Sequence, residues 1–136
     1  MKGIIVTIAL VVPLLLSACA TSPTPASEAK AVPTERVLAF QTQPGGESGT
    51  LIVSRDTGFF GGGISITIAV NGTKAAILKT GESVTLYLPA GESIVSASYW
   101  TGDLKEREVT LRPGQTKRYR VSFDGANSMD LSPTNF

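Results

Sequence analysis

The sequence predicts an all-β fold, a small antiparallel β-sandwich of about seven to eight short strands, on three counts. Runs rich in Val, Ile, Thr, Tyr and Phe recur along the chain, each closed by Gly, Pro, Asn or Asp. Several of these runs alternate apolar and polar side chains with period 2, the signature of strands with one buried face. Nothing sustains a 3.6-residue period over the ten or so residues a helix needs.

The first residues stand outside this pattern. Met1, Lys2 and Gly3 give a short basic start, and residues 4–16 run apolar without a charge. As a helix rising about 1.5 Å per residue, this run reaches roughly 20 Å, short of a ~30 Å hydrocarbon core. It is the h-region expected of a secretory signal, residues 1–18, removed on export. From residue 20 the composition turns to Ala, Ser, Thr and Pro, with Pro23, Pro25 and Pro33. Residues 19–36 therefore read as a flexible tether of roughly 50 Å extended reach.

Eight candidate strands follow, at residues 37–43, 50–55, 64–70, 73–79, 83–88, 93–100, 104–111 and 116–124. Ile64, Ile66, Ile68 and Val70 share one face, as do Val84, Leu86 and Leu88, and Tyr119, Val121 and Phe123. Asn71-Gly72 predicts a tight type I′ hairpin, because both residues tolerate positive φ. Pro113-Gly114 predicts a second hairpin, with Val109 opposite Tyr119 and Glu108 opposite Arg120. The domain is expected to span residues 37–125, followed by a loose polar tail at 126–136.

Leu16-Ser17-Ala18-Cys19 resembles the bacterial lipobox. The resemblance implies cleavage before Cys19, a diacylglyceryl thioether on its sulfur and an acylated (palmitate-type) amino group. Each buried CH₂ is worth about 0.8 kcal/mol, so two or three chains hold firmly where one does not. Cys19 is the only cysteine, which leaves none for a disulfide. Ala20 after it implies sorting to the outer membrane in a host with two membranes. Loss of Lys2 with the leader leaves eleven basic side chains against eleven acidic, a balance that suggests no nucleic-acid partner.

Residues 70–98 contain Asn71-Gly72 and Leu88-Pro89-Ala90-Gly91-Glu92. The pattern resembles the repeat of PEGA-type β-domains and of small bacterial lipoproteins that carry a similar unit. Glu92 departs from it, since His is common there. The resemblance implies a binding or scaffolding module of the cell envelope and no enzyme. The expected partners are the membrane, through the lipid, and another envelope protein or a glycan. No cofactor is expected beyond the covalent lipid.

The segment Asp56-Thr57-Gly58-Phe59-Phe60-Gly61-Gly62-Gly63 invites catalytic readings. Asp-Thr-Gly is the aspartic-peptidase tripeptide, and a chain of this size would have to dimerise to pair two carboxylates. Arg55 before it and Phe59 after it depart from that motif. A phosphate loop needs Lys and Ser or Thr after the last glycine, and a helix, yet Ile64 and a strand follow. The plainer expectation is a wide, mobile glycine connection between two strands, in which Phe59 and Phe60 either plug the end of the core or meet a partner or lipid. Ser27-Glu28-Ala29-Lys30 with Lys79-Thr80-Gly81 only echoes penicillin-recognising enzymes.

The absence of histidine removes Ser-His-Asp and Cys-His arrangements, and a zinc site would have to use carboxylates alone. Two further contact candidates remain. Trp100, the lone tryptophan, is either core or a platform for stacking on a sugar. Arg118 and Arg120, in the run from Lys117, form either a small anion or peptidoglycan patch or a solvated sheet face. A surface-displayed inhibitor is the other non-enzymatic alternative.

Overall fold

In the computed structural model the described residues are Gly3, 21–25, 27–58, 61–100 and 102–136. Among these residues nine strands form two sheets facing one another: β1 (Lys30–Ala31), β2 (Ser48–Arg55), β3 (Ile66–Val70), β4 (Thr73–Leu78), β5 (Glu82–Pro89), β6 (Gly91–Ser98), β7 (Leu104–Leu111), β8 (Thr116–Phe123) and β9 (Met129–Pro133). One sheet runs β1-β5-β2-β8-β9 and the other β4-β3-β6-β7. This is the expected all-β sandwich, and seven of its strands coincide with expected runs.

The period-2 faces close on each other. Leu51 and Val53, Ile66 and Ile68, Leu86 and Leu88, Val95 and Ala97, Val121 and Leu131 are all fully buried. Burying such side chains is worth about 1.5–3 kcal/mol each. Asn71 and Gly72 take φ of 49° and 79° and join β3 to β4 as a type I′ hairpin. The pair then slips at Ile68/Ala69, where Ile68 faces Ala76 and Ala69 faces Lys74. Ala75 is the extra residue of this bulge, which explains why Ala75 and Ala76 are both buried.

Several expectations are corrected. The hairpin through Pro113-Gly114 does not form, because the chain crosses between sheets there. β7 pairs with β6, whereas β8 lies parallel to β2 and antiparallel to β9. Glu108 therefore faces Ile94 rather than Arg120. Residues 37–43 are not a strand. Val37 makes one isolated bridge to Ala76, and the bulged Ala75 carbonyl accepts Leu38 N–H at 2.8 Å.

The tail at 126–136 is not loose either. Met129 and Leu131 are buried, and β9 extends the first sheet. A short stretch with two apolar residues at i and i+2 suffices once a strand edge is available to pair with.

The stretch expected to be a tether lies against the sandwich from Thr21 onward. β1 pairs with β5, Val32 joins the core, and Thr34–Arg36 forms a 3₁₀ turn. Arg36 grips Glu82 through two 2.6 Å bonds and also donates to the Ile77 carbonyl at 2.9 Å, tying β4 to β5 at one flank. Arg107 and Asp130 meet at 2.9 Å across the other flank. Both of those groups are largely solvated, so that pair contributes at most about 1 kcal/mol.

Candidate functional site

The strand registers sort the loops into two ends. One end carries the chain on either side of Asp56, the turn before Glu82, the β6–β7 loop and the β8–β9 loop. The sequence candidates Asp56 and Trp100 lie at this end, and the described segment from Thr21 is docked on it.

β2 ends with an inward-facing cation. Leu51, Val53 and Arg55 alternate onto the same face, and Arg55 is 1% exposed. Its guanidinium donates to the carbonyls of Gly61, Ile64 and, at 3.2 Å, Leu78. Its Cζ lies 5.5 Å from the centre of the Phe123 ring, within range of a cation–π attraction. Burial pulls the Arg55 guanidinium below the usual arginine value, and the charge of Glu82 acts against that. The glycine segment is therefore anchored at Gly61 and Ile64, which corrects the expected mobile connection. Gly61 itself has φ 69°, and a Cβ there would lie 2.8 Å from the Phe123 ring.

Asp56 points the other way and is also buried, at 2% exposure. Arg120 forks onto it with bonds of 3.1 and 2.7 Å. Register explains the choice: Arg120 faces Ser54 across the parallel β2–β8 pair, which sets Asp56 one diagonal step away. Thr21 then covers the pair. Its hydroxyl donates to Asp56 at 2.8 Å and accepts the Phe123 N–H at 3.0 Å. Ser22 and Thr57 exchange two backbone bonds of 2.8 and 3.0 Å, and Thr24 donates to the Arg55 carbonyl at 3.1 Å.

Magnitudes indicate what keeps this segment docked. Ordering a residue costs about 1–2 kcal/mol, whereas a neutral hydrogen bond returns only about 0.5–1.5 kcal/mol. The Thr21 bond to the Asp56 carboxylate belongs to the stronger class, at about 1.5–3 kcal/mol, and is the largest single contribution among the bonds of this segment.

The arrangement binds chain to chain. A peptidase carboxylate must face a water it can activate, but the oxygens of Asp56 face Arg120 and Thr21. Among the described residues no group of three or more carboxylate, Cys or His side chains is placed to hold a metal ion.

The remaining contact candidates separate. Trp100 is 86% exposed rather than part of the core. Its loop is braced by the Tyr99 hydroxyl donating to Asp103 at 2.6 Å and by Gly102 N–H to the Tyr99 carbonyl at 2.9 Å. The Tyr99 ring lies 6.2 Å from that of Phe123, so the Trp100 loop stands at the same end of the sandwich as the Phe123 backbone that Thr21 binds. Arg118 stands about 17 Å from Phe123 along β8, at ~3.3 Å per residue. There it is exposed in a groove of about 350 Å³ between Thr116 and Asn135. Arg120 is taken up by Asp56. Leu16, Ser17, Ala18, Cys19, Phe59 and Phe60 lie outside the described residues.

Sequence reasoning missed Thr21 and Arg55. The signal for Arg55 was present, since it continues the Leu51, Val53 alternation onto the apolar face. No local pattern announces Thr21, whose partners are 35 and 102 residues away. No family model matches the chain, and no curated protein matches its sequence.

Proposed function

We propose that this chain is a lipid-anchored bacterial envelope protein, of the outer membrane in a two-membrane host, whose β-sandwich is a non-catalytic binding or scaffolding module. The observation that carries the reading is the dock of Thr21 on Asp56 and Arg120. It builds the chain directly after the lipobox cysteine into the folded domain. An anchor on Cys19 would thus hold a structured body, in keeping with the PEGA-like pattern of residues 70–98. The groove beside Arg118 is the surface offered to an envelope protein or glycan. It is lined by Thr116, Lys117, Arg118, Tyr119, Pro133, Thr134 and Asn135 and lies two residues along β8 from Arg120 of the dock.

Replacing Cys19→Ser tests the anchor. The variant is expected in the soluble periplasmic fraction, and retention in the membrane at the wild-type level would refute the proposal. The groove is tested separately by Arg118→Glu, which should abolish crosslinks to envelope partners while leaving the melting temperature unchanged. Identical crosslinking would remove the groove from the account.

A further inference from the structure

Among the described residues five large hydrophobic side chains are exposed, and two of them, Trp100 and Leu104, flank the β6–β7 loop. That loop lies at the same end of the sandwich as Thr21. We infer that this end seats directly on the lipid surface, with Trp100 inserted at the level of the headgroups. The inference rests on acylation of Cys19, the reading proposed above, and adds to it an orientation and a contact residue.

The argument is one of chain length. Were residues 19–36 free, the domain could stand roughly 50 Å from its anchor. With Thr21 held by Asp56 and Phe123, only Ala20 separates the lipid-bearing position from the folded body, two Cα steps or at most about 7 Å of extended chain. The end that carries Thr21 must then lie at the bilayer surface, because there is no slack to turn it away. Trp100 projects from that end on a braced loop, with its ring almost entirely in water. Indole favours the boundary between water and hydrocarbon, where its apolar body and N–H are both satisfied.

Charge identifies the type of surface. Asp103 and Asp124 lie in the loops of this end, and Lys79 and Lys105 lie near them. Among the described residues of these loops no basic cluster selects anionic lipid. The contact is therefore apolar, and suited to zwitterionic headgroups. In the same orientation the Arg118 groove stands about 17 Å from the Phe123 end, on the flank of the sandwich, clear of the lipid.

Trp100 is the only tryptophan in the chain, so its fluorescence reports this contact alone. The full-length mature protein, extracted from membranes with its acyl groups, would be reconstituted into phosphatidylcholine vesicles with and without bromine on the acyl chains. Emission is expected to shift to the blue and to be quenched about two-fold by the brominated lipid, as an indole at the interface requires. The effect should persist at high salt.

The double variant Thr21→Val with Ser22→Pro removes the dock and should restore the long tether. It is expected to float with the vesicles as before while losing most of the quenching. An acylated protein that floats but shows unquenched, water-like emission would overturn the inference and leave the anchor intact. Unquenched emission that responds to soluble glycan fragments would reassign Trp100 to a sugar. Equal quenching in the double variant would refute the dock as the cause. A Cys19 found without acyl groups would remove both the anchor and the inference.

Discussion

Replacing Arg120→Met isolates the interaction on which the dock depends. The substitution keeps the aliphatic stem but leaves the Asp56 carboxylate, whose side chain is 1% exposed, with Thr21 as its remaining side-chain partner. Removing one partner of a buried ion pair costs about 3–5 kcal/mol. The guanidinium side of this pair is 25% exposed, so water can reach the vacated position. That places the loss near the lower bound, at about 3 kcal/mol. For a domain of this size, each kcal/mol moves the midpoint by roughly 4 °C, so thermal unfolding should fall by about 12 °C.

Circular dichroism melts, with urea unfolding as a second measure, read the effect. Adding Asp56→Asn to Arg120→Met should recover about 1–2 kcal/mol, because the uncompensated charge is gone and the two residues are coupled. A loss under about 0.5 kcal/mol for Arg120→Met, or strict additivity of the two substitutions, would refute the reasoning.

Two other perturbations follow from the same geometry. Arg55→Met removes the shared donor of the Gly61, Ile64 and Leu78 carbonyls; Gly61 keeps the Ile64 N–H, at 3.0 Å, and each acceptor left orphaned costs about 1–3 kcal/mol before water is readmitted; faster amide exchange confined to the 61–65 segment, with a loss of at least about 2 kcal/mol, is the expected result, and unchanged exchange would count against the clamp. Glu82 sits below the ordinary glutamate value, chiefly because Arg36 hydrogen-bonds its carboxylate. The stabilisation is present above the unfolded value, about pH 4.3, and is lost as pH falls through the folded one. Glu82→Gln should therefore be less stable than wild type at neutral pH, with the gap closing in acid, and a gap that stays constant down to pH 2 would contradict the assignment.

The strands were legible because period-2 alternation and turn chemistry are local. Asn71-Gly72 names its own hairpin, and the faces through Ile66, Leu86 and Val121 predict which side is buried. Sheet membership was less legible. The turn at Pro113-Gly114 fits a hairpin and a crossover equally well, and β2 chooses β8 through contacts more than sixty residues apart in sequence. The N-terminal segment was misread for a related reason. Its composition cannot build a core of its own, but Thr21 and Val32 need only complete one that other strands have made. Trp100 inverted the usual expectation for a lone tryptophan, and no local pattern signals that its loop is braced by the Tyr99–Asp103 bond.

The modified state of Cys19 is the claim from which the rest of the functional account descends. Intact-mass and N-terminal peptide spectrometry of the protein recovered from its native membranes tests it most directly. The account predicts a chain beginning at Cys19 with a diacylglyceryl group on sulfur and a further acyl group on nitrogen. A chain that still begins at Met1, or a Cys19 whose thiol and amine are both unmodified, would contradict it.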